Sequence, residues 1–199
     1  MSIVLHPTIL KADEQFGLTM AVSLAIKDYL ISQNRNGAPI GIKWPNDIYV
    51  GQSKICGTLI ENTLNNHGIA TSVCGIGLNV NQTIFPDWLP NPTSMAAEWS
   101  EEYDIENSVL PNLINHITHY YNLLKHNGRK SIEPQYLDNL VNYRRTAHYR
   151  YEGNDIEAAI TGIDQYGRLM LKQTDGTQIV SEVKEIAFLD IICRDKTTK

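Results

Sequence analysis

Residues 41–61 read GIKWPNDIYVGQSKICGTLIE, and this stretch decides the fold. Residues 40–43, 48–50 and 54–62 are runs of strand length, rich in β-branched side chains. Pro45 ends the first run, because it has no N–H for a ladder and restricts Trp44 to extended backbone. Asn46 and Asp47 therefore sit where the chain leaves a sheet edge. Gly51-Gln52-Ser53 separates the second run from the third and is a hairpin signal. Two lysines, an amide and a carboxylate thus fall within twelve residues, on a strand end and the hairpin after it. Lys43 and Lys54 can neutralise phosphate or carboxylate oxygens. Asp47 can hold a cation or orient a lysine, and Asn46 can both donate and accept. Taken as chemistry alone, the structural reading is the stronger one, since Pro-Asn-Asp is a common turn composition and hairpin lysines are usually solvated.

Upstream, residues 2–5 form a short apolar run closed by His6-Pro7, read as a strand. Asp13, a plausible N-cap, precedes a helical pattern reaching about Gln33, with Phe16, Met20 and Leu24 on one face. Downstream, residues 65–68 form a turn into a long apolar strand over residues 69–80. That strand ends in Cys74–Asn81, CGIGLNVN, whose two glycines permit close backbone approach to a ligand. It lacks the third glycine and the following helix of a dinucleotide fingerprint, so a bulged strand ending in an Asn turn is the plain reading. Thr93 or Ser94 caps a short helix to about Trp99. A longer helix runs from about Ser108 to Lys125, and a short one lies near residues 132–140. From about Thr146 the texture changes to five short strands, near residues 149–151, 155–163, 168–173, 178–182 and 185–188, with turns at Gly153, Gly167 and Gly176. Their spacing predicts a small SH3-like barrel.

Composition narrows the function. The 199 residues carry 17 basic and 22 acidic side chains, a net charge of −5, which disfavours sequence-independent nucleic-acid binding. No apolar run approaches the roughly 18–20 residues of a membrane span, and no signal peptide is evident. Cys56, Cys74 and Cys193 are odd in number and far apart, which fits buried thiols of a cytoplasmic protein better than a disulfide framework or a zinc site. His116 and His119 lie three apart on a helix, but ligands to complete a metal site are not visible. Trp44 beside a turn proline reads as packing, and Glu98, Glu101 and Glu102 as a solvated helix end.

In this order, KWPND, the lysine before Ile-Cys-Gly-Thr-Leu-Ile-Glu, GIGLNVN and Pro-Thr-Ser-Met closely resemble the biotin protein ligases, also called biotin–[acetyl-CoA-carboxylase] ligases. The resemblance spans nearly the whole chain. It implies an α+β fold: a class II synthetase-like catalytic domain of the biotin/lipoyl ligase type, a mixed sheet with helices over residues 1–146, then the SH3-like domain over residues 147–199. It implies that the biotin carboxylate attacks the α-phosphate of ATP, giving biotinyl-5′-AMP, and that a lysine of a biotin carboxyl carrier protein then takes the biotin. By match to the family motif, Lys54 contacts biotin and the α-phosphate and Lys43 supports the nucleotide site. Asn46 and Asp47 lie near the phosphates and Mg²⁺, Asp47 as the metal contact, while Asn79 lies near the adenine and Gly57 against biotin. Cations suit this chemistry, because an anion attacks a polyanion.

One departure from the family pattern is large. Family members carry, ahead of the strand matching residues 2–5, a Ser/Thr-Asn motif and a Gly-Arg-Gly-x-x-Gly loop that closes over biotin and adenylate. This sequence starts after them, so the expectation is an N-terminally truncated ligase, impaired when alone. The winged-helix domain of bifunctional relatives is absent too, so no DNA partner and no membrane partner are implied; a homodimer is compatible with the resemblance. Two rival readings stand beside the ligase. One is a lipoate ligase-type acyltransferase, and the other a non-catalytic or split-enzyme remnant that binds nucleotide or carrier protein.

Overall fold

Residues 41–61 fold into three neighbouring strands that run from one edge of an antiparallel sheet to its middle. The computed structural model describes residues 1–7 and 10–194. Strands β1 (Ser2–Leu5), β2 (Ile40–Lys43), β3 (Asp47–Val50), β4 (Ser53–Asn65) and β5 (Gly68–Leu78) form a sheet of order β1-β5-β4-β3-β2. Every pairing in it is antiparallel, not mixed as expected. The reason lies in the connections: two or three residues join β2 to β3, β3 to β4 and β4 to β5, whereas a parallel neighbour needs a crossover of about a dozen residues.

Helix α1 (Phe16–Gln33) lies between this sheet and helix α3 (Leu110–Asn127), so it is buried on nearly all sides from Gly17 to Leu30. Asp13 does not cap it. Residues Ala12–Glu14 form a 3-10 turn that runs into α1, so Gln15 already has helical backbone and no extended capping position exists. Ser94 caps α2 (Met95–Trp99), accepting from the Ala97 N–H at 3.1 Å. A π-helical turn, Ile105–Val109, capped by Asp104, starts the long helix three residues earlier than its apolar pattern indicates. In α3 the buried stripe is Leu113, Ile117, Tyr120 and Leu124, while Ile114 faces outward. Helix α4 (Glu133–Asp138) follows.

The second sheet comprises β6 (Thr146–Tyr151), β7 (Asn154–Ile163), β8 (Leu169–Gln173), β9 (Gln178–Ser181) and β10 (Ile186–Phe188), in the order β10-β6-β7-β8-β9. The five strands are the ones expected, but the sheet is open: β9 and β10 stand at opposite edges and do not pair. It is nevertheless curled. Four flat strand spacings would separate its edges by about 19 Å. Yet only residues 182–185 connect β9 to β10, and they fold back in a turn, with the Glu185 N–H on the Glu182 carbonyl at 3.1 Å. Its buried face, including Tyr149, Ile160, Leu169 and Leu171, continues the apolar core under the first sheet.

Candidate functional site

Cross-strand register builds the site. Lys43 on β2 stands opposite Asp47 on β3, Asp47 opposite Gly57 on β4, and Gly57 opposite Gly77 on β5. Directly paired residues share a face, so one row crosses four strands on the side of the sheet away from α1. The hairpin returns Lys54 to this row, where its Nζ meets the Asp47 carboxylate at 2.7 Å. Lys54 keeps 40% of its side-chain surface exposed, so the pair can be reached by a ligand. Gly57 lies directly beneath it. A Cβ there would stand 3.1 Å from Asp47 Oδ1 and 3.2 Å from Lys54 Nζ, closer than most side chains tolerate.

Beyond the pair the sheet surface is bare backbone. Added Cβ atoms at Gly75 and Gly77 would meet nothing nearer than 3.5 Å. A cavity of about 260 Å³ opens over this strip, lined by Lys54, Cys56, Gly57, Gly77 and Asn79 and by Leu89, Pro90 and Pro92 of the loop that follows β5. Next to the glycines the same face turns apolar, with Leu59 opposite Gly75, and Val73 beside Val4 of β1, all exposed. A larger cavity of about 480 Å³ lies elsewhere, between Arg129, Glu133 and Asp164, and holds none of the site residues named above.

The two asparagines do a different job from the lysines. Asn46 donates its Nδ2 to the Thr58 carbonyl at 2.5 Å, bracing the turn against β4. Asn79 donates to the Thr93 carbonyl at 2.9 Å, while its own carbonyl accepts from Met95 N–H and so joins the end of β5 to α2. Each retains its Oδ1 and one N–H for a ligand. Trp44 is buried and gives its Nε1–H to the Gly167 carbonyl at 2.9 Å, so it packs and is unavailable to stack on a base. Cys56, under the row, is buried with its thiol pushed up to about 12 by burial, which keeps it an inert core residue. Among the described residues none of the three cysteines forms a disulfide, and all are buried. Among the described residues no cluster of three His, Cys, Asp or Glu side chains could hold a metal ion, and His116 and His119 form no such site.

Two side chains join the site that the sequence argument passed over. Tyr49, two residues after Asp47 and so on the same face, places its ring 5.6 Å from Lys43 Nζ, and Phe188 of β10 places a second ring 5.5 Å from it. Tyr49 is legible in the period-2 alternation of β3; Phe188 lies too far along the chain for any local signal. Burial pushes the Lys43 ammonium below the ordinary lysine range; Asp47 opposes that shift and Lys54 adds to it.

Residues 1–81, which hold the whole four-strand row, match the biotin/lipoate A/B protein ligase family. The chain resembles this family over 81 of its 199 residues. It is 28% identical over 195 residues to the bifunctional ligase/repressor BirA of Bacillus subtilis, covering 96% of this chain and 57% of the relative. It is 26% identical over 168 residues to the biotin–[acetyl-CoA-carboxylase] ligase of Paracoccus denitrificans, covering 82% of this chain and 69% of that one. The chain therefore spans little more than half the length of the Bacillus relative. Its fold is that of the biotin protein ligase from Aquifex aeolicus solved with biotin and ATP, with a TM-score of 0.72 at 22% identity over 94% of this chain and 75% of that one. Among the described residues no helix is long and apolar enough to cross a membrane.

Proposed function

We propose that this protein takes part in ATP-dependent ligation of biotin to a lysine of a biotin carboxyl carrier protein, through biotinyl-5′-AMP. The observation that carries the reading is the Lys54–Asp47 pair held over the glycine row. An acid with an apolar body can lie along Gly57, Gly75 and Gly77 toward Leu59 and Val73. Its carboxylate then ends beside Lys54, where negative charge grows as carboxylate and α-phosphate meet. A fixed ammonium there stabilises the transition state more than the ground state. Asp47 keeps Lys54 aimed before ligand arrives, and Lys43 supplies a second positive charge in the same row. Asn46 and Asn79 hold the two loops that frame the nucleotide. The donor set fits a Mg²⁺ that arrives on ATP, because that ion needs only one or two protein carboxylates and Asp47 supplies one. When bound, the ion neutralises phosphate charge. In this reading residues 1–146 bear the chemistry, residues 147–199 complete the site from the side, and the protein works in the cytoplasm. The relative from Paracoccus, named a biotin–[acetyl-CoA-carboxylase] ligase, and the Aquifex structure with biotin and ATP support the choice of substrates.

Purified protein of full natural length, given ATP and Mg²⁺, is expected to release pyrophosphate when biotin is added, not when lipoate is added, and to label a carrier domain detectable with avidin. Lys54→Ala is expected to lower that release by about 100–1,000-fold, the usual loss when one aimed charge leaves a dry site. Release that depends on lipoate instead, or that survives Lys54→Ala within a few-fold, overturns the reading.

A further inference from the structure

Lys43 is a half-buried cation with an unusual set of neighbours. Among the described residues it has no ion pair, and the carboxylate opposite it, Asp47, is taken by Lys54 at 2.7 Å. Its Nζ lies instead between two rings: Tyr49 of its own sheet at 5.6 Å and Phe188 of the second sheet at 5.5 Å. Phe188 is itself held in place. It stands opposite Tyr149 in the β10–β6 register, and the two rings meet edge to face with centroids 5.1 Å apart at 75°. The segment after β10 is fastened to the first sheet. Asn142 donates to the Asp190 carbonyl at 2.9 Å and accepts from the Ile192 N–H at 2.8 Å, and Cys193 packs over Gly41 of β2.

We propose that Phe188, with Tyr49, is a positioning residue that holds the Lys43 ammonium toward an anionic group of the ligand, so that the second sheet completes the site. A carboxylate partner would neutralise Lys43 and compete with an incoming phosphate. An aromatic face attracts the ammonium through its quadrupole and leaves its full charge for the ligand. Two rings on opposite elements also limit where the long side chain can go, which reduces the entropy lost when the ligand engages it. The lowered proton affinity of Lys43 agrees with a cation whose burial is only partly compensated.

Only the identity of the ligand, ATP, rests on the ligase reading; the cradle does not. Titration calorimetry with ATP on the parent, Phe188→Leu, Phe188→Tyr, Lys43→Ala and the Lys43→Ala/Phe188→Leu double variant separates the two. Phe188→Leu is expected to weaken ATP binding about fivefold, the equivalent of one cation–π contact, and Phe188→Tyr to restore it. In the Lys43→Ala background Phe188→Leu is expected to change nothing further. An equal loss in both backgrounds, or none in either, overturns the proposal. The same variants form a thermal cycle that needs no ligand, in which a coupling of about 2 °C in Tm between Lys43 and Phe188 is expected. If the parent binds no ATP, the ligase reading fails and this cycle still decides the cradle: additive Tm shifts would sink it.

Discussion

Gly57 shows how one missing side chain shapes the site. Its neighbours across the sheet, Asp47 and Gly77, share its face, and the Lys54–Asp47 pair lies directly over it. In Gly57→Ala the new methyl would press on Asp47 Oδ1, Lys54 Cε and Lys54 Nζ, all within 3.2 Å. The ends of these side chains can move, so the fold should survive while the ammonium shifts. A displacement of about 1 Å at a reacting centre can cost about 100-fold in rate. We therefore expect Gly57→Ala to lose about that much biotin-dependent pyrophosphate release with a Tm within about 2 °C of the parent, since surface changes are usually small in stability. A parent-like rate would mean that Lys54 acts from a different position. Asp47 and Lys54 are legible in the sequence as chemistry-bearing types. That they touch is not, because a strand pairing, not a spacing, brings them together.

At the scale of elements, the β7–β8 turn locks the two sheets together. Trp44 donates to the Gly167 carbonyl, and Arg129 donates to the Asp164 and Gln165 carbonyls while pairing with Glu133 at 2.9 Å. Gly167 has φ +88, and a Cβ on it would sit 2.1 Å from the Phe16 ring. Both the backbone and the space therefore demand glycine there. Gly162, at the bulge in β7, has ordinary φ and nothing within 4 Å of an added Cβ. Gly167→Ala is expected to unfold well below the parent, by about 10 °C or more given a cost of several kcal/mol from overpacking and strain. Gly162→Ala should stay within about 2 °C, as a surface change. Thermal melts of the pair check this, and equal behaviour would mean that the turn is not the lock. The sequence marks Gly167 as a turn residue and leaves Gly162 inside a strand; only the packing of Phe16 shows how little room Gly167 has.

At the scale of the whole molecule, the C-terminal segment is clasped by His148 and Asp190. The His148 ring lies 2.7 Å from the Asp190 carboxylate, which also accepts the His148 backbone N–H at 2.9 Å, while Leu189 N–H returns to the His148 carbonyl. The hydrogen bond to Asp190, then its charge, raises the His148 imidazole above the ordinary histidine range, with Glu157 and Asp155 of β7 adding to it. The His148 backbone N–H, then its ring, hold Asp190 below the ordinary carboxylate range. The histidine contribution is complete below its unfolded pKa of about 6.5 and is lost as pH rises through the raised folded value; the aspartate contribution is complete above about 3.9 and is lost as pH falls through the depressed one. The clasp is therefore strongest between about pH 4 and 6.5. Tm measured from pH 6 to pH 8.5 should fall further in the parent than in Asp190→Asn, and parallel curves would exclude the clasp as a source of pH dependence. Because this segment carries Cys193 over Gly41 and continues from Phe188, loosening it also loosens the wall beside Lys43.

By itself, the sequence determined the strands around KWPND, the hairpin at Gly51, the capped helix after Ser94 and the run of five strands after Thr146, because each rests on local rules of proline, glycine, capping and alternation. The motif order also carried the resemblance to the biotin protein ligases, because it joins the residue types that this chemistry needs. Only the tertiary structure decided that the first sheet is wholly antiparallel, that the second is curled but open, and that Lys43, Asp47, Gly57 and Gly77 form one row. It alone brought Phe188 to Lys43 across most of the chain. Register and sheet closure are settled by which apolar faces must meet in one core and by how short the connections are, and neither can be read from the spacing of residues along a single strand.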